Sequence, residues 1–134
     1  MHMERLCDVA LLAARCLIGV LFLGGAVQKL AASDAAQELL AMQGLPEVLV
    51  WPALAFNAMA GALLVLGVWV RPVAAVLALY CGFTSFFHLI PTDPWQMSIF
   101  FKNWAISGGC LALAVAGSGR YAIRADQQIP QSLK

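Results

Sequence analysis

An all-α membrane bundle of four antiparallel transmembrane helices is the fold class this chain predicts, on three observations. First, residues 48–70 and 72–92 carry no formal charge, residues 9–28 are broken only by Arg15, and residues 103–119 are uncharged. A helix needs about 20 predominantly apolar residues to cross the hydrocarbon core, so four spans is the natural count. Second, the 134 residues are 62% hydrophobic and 11% charged, with a mean hydropathy of +0.82, which leaves too little polar surface for a soluble domain. Third, the apolar runs are rich in Leu and Ala and lack the two-residue alternation of a membrane barrel, so helices must satisfy the backbone within the bilayer.

The first span is expected over residues 8–30. Arg5 precedes it as in a signal peptide, but no small-residue cleavage site followed by a soluble domain is found, and the run reads as a retained helix. Ser33 then offers an oxygen to cap a short amphipathic helix over residues 34–43, lying in the interface and ended by Gly44 and Pro46. The second span, residues 48–70, starts with Trp51 at headgroup depth and with Pro52 in the first turn, where its missing N–H costs little. Pro72 opens the third span, residues 73–90, so a tight turn joins spans two and three as an antiparallel pair.

The stretch from Pro91 through Trp95 breaks the third helix, and the fourth span follows over residues 98–116 until Gly117, Ser118 and Gly119 stop it. Residues 120–134 are expected as a cytoplasmic tail, loosely ordered from Ala122 onward. The whole chain, residues 1–134, reads as one membrane domain without internal repeat. Small residues at helical spacing, such as Ala74, Ala78 and Gly82, allow close backbone approach.

With the N-terminus in the cytoplasm, Arg5, Arg71, Arg120, Arg124 and Lys134 flank the inner side and Lys29 and Lys102 the outer ends. The excess of inner cations predicts both termini cytoplasmic in a multi-pass protein; the expected location is a bacterial-type inner (plasma) membrane, with the lipid bilayer as its constant partner. A formal net charge of +1 and the lack of a basic stripe exclude nucleic acid as a partner. Cys7, Cys16, Cys81 and Cys110 form no CxxC pair, so neither a disulfide framework nor a thiol-redox motif is expected. His2 and His88 are the only histidines, and no metal-ligand cluster is expected.

Laid antiparallel, the spans carry Gln28 and Lys29, then His88, then Lys102 and Asn103, to the outer leaflet. Thr84 lies one turn deeper than His88, and Asn57 roughly 13 Å in from the start of its helix at 1.5 Å per residue. Phe83, Phe86, Phe87, Phe100, Phe101 and Trp104 flank them with flat apolar surface suited to a ring-shaped or lipid-like ligand. Taken singly, Lys29 and Lys102 read as snorkelling cations and His88 as an interfacial histidine. Taken together, Gln28, Lys29, Asn57, Thr84, His88, Lys102 and Asn103 read as a ligand pocket open to the outer side. No catalytic residue is identified. Arg15 enters from the inner side, where a charge costs about 2.5–3.5 kcal/mol on insertion scales. It is expected as a structural intramembrane charge that faces the bundle. No acidic residue lies within the four apolar runs, so its acceptors should be carbonyls, Ser or Asn side chains, or a lipid phosphate.

These residues carry a resemblance. Arg15, Gly19, Phe22, Gly25 and Lys29 in the first span, Gly61 with Leu66, Gly67 and Arg71 at the end of the second, Thr84 and His88 in the third, Gly108 and Gly109 in the fourth, and the closing Gly119, Arg120 and Tyr121 resemble the DoxX family of small four-helix membrane proteins. The resemblance implies association with respiratory or sulfur-redox membrane complexes, including subunits linked to quinol oxidase and thiosulfate:quinone oxidoreductase. It also marks a departure, since the family's second helix commonly carries a glutamate where this chain has Asn57. Two functional expectations follow. One is a redox-associated subunit that binds quinone or a similar amphipathic ligand in the outer pocket. Lacking a flavin motif, haem ligand pair or metal cluster, it needs a membrane or redox protein partner. The other is a non-catalytic assembly subunit whose polar residues fasten helices together. A transporter is disfavoured by the lack of an inverted repeat or broken helix.

Overall fold

The computed structural model describes residues 2–126, which form α1 (His2–Ala31), α2 (Ser33–Met42), α3 (Val50–Leu66), α4 (Val70–Ser85) and α5 (Pro94–Ala116). Short 3₁₀ turns at Glu47–Leu49 and Phe86–His88 extend α3 and α4. Four helical stretches, His2–Ala31, Glu47–Leu66, Val70–His88 and Pro94–Ala116, are long and apolar enough to cross a membrane. No strand occurs among the described residues.

The helix ends follow local chemistry. α3 stops at Leu66 rather than running to residue 70, because Gly67 turns left-handed at φ 72°. The amide of Val68 then donates to the Leu63 carbonyl and that of Gly67 to Leu64, which closes the helix in a Schellman motif. α5 begins four residues before the expected span at residue 98. The Asp93 side chain accepts from the amides of Trp95 and Gln96, and Pro94 sits at the first helical position, where it needs no N–H partner. Pro94 and Trp95 thus start the helix, where the sequence reading took them only as breakers.

Two helix pairs build the bundle: α1 packs chiefly on α3, and α4 chiefly on α5. Gly19 and Gly61 set the first crossing; a Cβ on Gly19 would lie 2.8 Å from the Gly61 carbonyl oxygen, and one on Gly61 would lie 2.7 Å from that of Gly19. In the second pair, Ser107 Oγ donates to the Ala78 carbonyl at 2.9 Å and Ser85 Oγ to the Phe100 carbonyl at 3.1 Å. Interhelical hydrogen bonds of this kind average about 0.6 kcal/mol in a bilayer. The shared core holds Phe22, Ala60, Leu64, Val70, Ala74, Leu77, Ala78, Cys81, Cys110 and Leu113. α3 and α4 are consecutive yet touch each other far less than either touches its main partner, and an apolar groove opens between them.

The segment after α5 differs from expectation. Residues 121–126 do not hang free but lie against the α3–α4 turn, with the amides of Ile123 and Arg124 donating to the carbonyls of Leu66 and Gly67. Those carbonyls are left open by the end of α3, which explains why a polar strap takes them. Residues 127–134, the remainder of the expected tail, lie outside the described residues.

Candidate functional site

At the end of the bundle away from this strap, Lys29 occupies the last turn of α1. Its side chain does not snorkel outward but turns back along the helix, bringing Nζ to 3.5 Å from the Gly25 carbonyl oxygen. There it meets Asn57, which is 3% exposed on α3. In the amide orientation that its surroundings satisfy, Asn57 accepts from Lys29 Nζ at 3.0 Å and donates to the Tyr80 hydroxyl and the Ala53 carbonyl, each at 3.2 Å. Gly25 makes room for this bridge, since a Cβ there would stand 3.3 Å from the Asn57 amide. Phe22 and Phe56 pack against the Tyr80 ring at centroid distances of 6.3 and 4.9 Å. Three helices therefore deliver an ammonium, an amide and a phenol to one half-buried cluster.

The donor count of the cluster is uneven. Lys29 carries three N–H donors; Asn57 takes one and Gly25 receives a long, weak one. Tyr80 OH accepts from Asn57, and among the described residues its own proton has no acceptor. One ammonium N–H and one phenolic O–H are left to donate, with an aromatic wall beside them.

The other residues of the expected pocket are placed separately. His88 Nδ1 lies 2.6 Å from Gln96 Oε1, a geometry in which the ring nitrogen donates across the α4–α5 loop. Thr84 Oγ1 donates back to the Tyr80 carbonyl at 2.9 Å, on its own helix. Lys102 is exposed and stands 5.2 Å from the centroid of the Trp95 ring, a cation–π contact. Gln28 is exposed and Asn103 half-buried, and neither side chain has a hydrogen-bond partner among the described residues. Of the seven expected residues, the structure joins Lys29 and Asn57 directly and Thr84 through the Tyr80 backbone.

At the strap end, Arg15 is fully buried and faces the bundle, and its Nη2 donates to the Tyr121 carbonyl oxygen. Its Nη1 packs on the Cα of Gly67, in space a side chain there would fill. Arg71 works beside it. Its Nη1 donates to the carbonyls of Ala114 (3.3 Å) and Val115 (2.5 Å) and its Nη2 to that of Ala116 (3.3 Å), which satisfies the open C-terminal carbonyls of α5. Asp126 Oδ2 accepts from the Arg71 amide, and Asp8 Oδ1 from the Arg120 amide, binding the strap to α4 and α1. The four cysteines are unpaired, and among the described residues no group of three or more His, Cys, Asp or Glu side chains is placed to hold a metal.

Tyr80 and Arg71 are the residues that sequence reasoning did not place. A signal for Tyr80 was available: it lies four residues before Thr84 and eight before His88, on one helical face, and a tyrosine deep in an apolar span needs a partner for its hydroxyl. Arg71 reads in the sequence as an inner-side charge and as part of the family resemblance, and nothing local shows that its side chain reaches the end of α5.

Comparison with known proteins places this geometry in a family context. Residues 10–89 match the family model of DoxX. Over 122 residues the chain is 30% identical to Inner membrane protein YqjF of Escherichia coli (strain K12), an alignment that covers 90% of this chain and 94% of that protein. No solved structure matches the chain.

Proposed function

The chain belongs to the DoxX family, and from that premise we propose that it binds a quinone, or a similar amphipathic ligand with an oxygen-bearing head, at Lys29, Asn57 and Tyr80. The observation that carries this reading is the surplus of donors. An ammonium N–H and a phenolic O–H without acceptors flank the Asn57 amide, with Phe22 and Phe56 against the Tyr80 ring, and a ligand carbonyl or anionic oxygen would supply an acceptor. Gln28, Thr84, His88, Lys102 and Asn103 lie toward the same end of the bundle but outside this cluster, with His88 held by Gln96 and Lys102 over Trp95. Asn57 orients Lys29 and Tyr80 and is itself fully used. On this reading a redox-linked membrane protein would pass electrons to or from the ligand.

The charge distribution and the name of the inner-membrane relative support an inner (plasma) membrane protein with both termini in the cytoplasm. The ligand head would then lie in the outer half of the bilayer. A reporter active only in the periplasm, fused after Lys134, should stay silent; a strong signal inverts the orientation.

A second reading has one observation in its favour. Asn57 satisfies all its own hydrogen-bonding groups within the protein, as a purely structural network in an assembly subunit would. Affinity of the purified protein for a quinone analogue separates the two. Lys29→Met should weaken binding about tenfold or more, as a lost charge-assisted hydrogen bond implies. Tyr80→Phe should weaken it several-fold, and His88→Ala little. Equal, weak binding by all four proteins assigns the cluster to the scaffold.

A further inference from the structure

The groove lies between α3 and α4, which touch each other far less than either touches its main partner. It is lined by Phe56, Met59 and Leu63 on one wall and by Val73 and Val76 on the other, and Trp69 closes its strap end. Almost no polar surface lies within it. Trp69 is held left-handed at φ 50°, the one non-glycine residue at positive φ among the described residues. For a bulky residue this conformation costs free energy and marks a position worth explaining.

Arg124 stands over the same indole, its guanidinium carbon 5.9 Å from the ring centroid. The strap sets it there, since the Arg124 amide donates to the Gly67 carbonyl and the Ile123 amide to that of Leu66. The Arg124 side chain is exposed and has no hydrogen bond or ion pair among the described residues. An apolar slot in the hydrocarbon region therefore ends at an aromatic ring, and immediately beyond that ring is an uncommitted cation.

We propose that this groove is a selective site for an anionic phospholipid, with one acyl chain between α3 and α4 and the headgroup phosphate on Arg124 beside Trp69. The apolar walls exclude a polar occupant along their length, and the unpaired guanidinium selects the sign of charge at the mouth. An indole at the level of the headgroups is the expected neighbour for such a phosphate. The site lies at the opposite end from Lys29 and does not depend on the ligand proposed there.

The test uses the full chain with Trp51, Trp95 and Trp104 replaced by Phe, so that Trp69 alone reports. Reconstituted in phosphatidylcholine, it is titrated with phosphatidylglycerol or with phosphatidylcholine brominated on the acyl chains. Brominated phosphatidylglycerol should quench Trp69 with about fivefold higher apparent affinity, the factor that corresponds to roughly 1 kcal/mol per basic residue near an anionic surface. Arg124→Gln should abolish the preference, while Arg5→Gln, a cation at the same end but outside the groove, should retain it. Equal quenching by both headgroups would show an ordinary aromatic belt and overturn the proposal. So would a preference unchanged in Arg124→Gln. Shielding of Trp69 from both lipids would refute the lipid site, and disulfide-linked dimers of Val76→Cys, made with the four native cysteines replaced by Ser or Ala, would show that a second copy of the chain fills the groove instead.

Discussion

Replacing Gly67 by Ala tests whether the strap, the α3–α4 turn and Arg15 form one unit. Two costs add. Gly67 sits at φ +72°, and a Cβ in the left-handed region costs about 1–2 kcal/mol. That Cβ would also fall 2.6 Å from Ala122 Cβ, 2.8 Å from Ala122 Cα, and onto Arg15 Nη1. Overpacking of this sort typically costs about 1–3 kcal/mol, so the loss should total about 2–5 kcal/mol. Gly44→Ala is the control, because Gly44 has nearly the same φ of +69° but nothing within 4 Å of the added Cβ. It should lose only the conformational part, about 1–2 kcal/mol. Reversible unfolding in mixed detergent micelles, followed by far-UV circular dichroism, gives both values. Trypsin cleavage after Arg124 reports separately on release of the strap. If the two variants agree within about 0.5 kcal/mol and Arg124 stays protected in both, the packing of Arg15 and Ala122 on Gly67 is not part of the folded state.

Three further substitutions test other joints. Gly19→Ala should destabilise the α1–α3 crossing by about 1–3 kcal/mol, since its Cβ would lie 2.6 Å from Val65 Cγ2 and 2.8 Å from a carbonyl oxygen, whereas Gly24→Ala, in open space on the same helix, should be neutral or stabilising by up to about 1 kcal/mol; equal effects would mean the helices do not cross there. Arg15→Leu removes the donor to the Tyr121 carbonyl and should raise the rate of trypsin cleavage at Arg124 while the far-UV spectrum stays helical; unchanged cleavage would show that Arg15 does not hold the strap. Asn57→Leu should cost about 1.5–3 kcal/mol by stranding the Lys29 ammonium, while Asn57→Glu, which offers Lys29 a carboxylate at the same place, should keep stability but weaken quinone-analogue binding; equal destabilisation by both would remove Lys29 from the network.

The four spans were legible because apolar length is a property of each segment alone. Ends were legible where the signal is a single residue, as at Gly117, and misplaced where two signals compete. Pro94 was taken as a breaker, yet beside Asp93 it is a start. The pairing of helices was not legible: α3 and α4 share a tight turn, but the close contact of Gly19 with Gly61 and the Ser107–Ala78 bond decide which helices meet, and both are relations between distant segments. For the same reason the expected pocket was only partly placed. Depth along a span locates a residue to within a turn; it does not give the rotation that sends Lys29 inward to Asn57 and Lys102 outward to Trp95. The strap was not legible because the tail from Ala122 onward is polar when taken as a whole, while the carbonyls that bind its first residues are exposed only once α3 ends at Gly67.

The two ends of the bundle place their cations against different partners. Arg15 and Arg71 face carbonyl oxygens at the strap and the end of α5, although Arg15 Nε and Nη1 and Arg71 Nε have no hydrogen-bond partner among the described residues. Lys29 has no such set of acceptors: its best partner is a neutral amide, and that amide is already shared with Tyr80 and Ala53. A half-buried ammonium with donors left over costs free energy in a low-dielectric setting unless an acceptor reaches it. The resemblance places a glutamate at the position of Asn57, and a carboxylate there would discharge this surplus internally. With asparagine the surplus persists, and on the function proposed above an oxygen-bearing head carried by an apolar body would supply the acceptor at that depth.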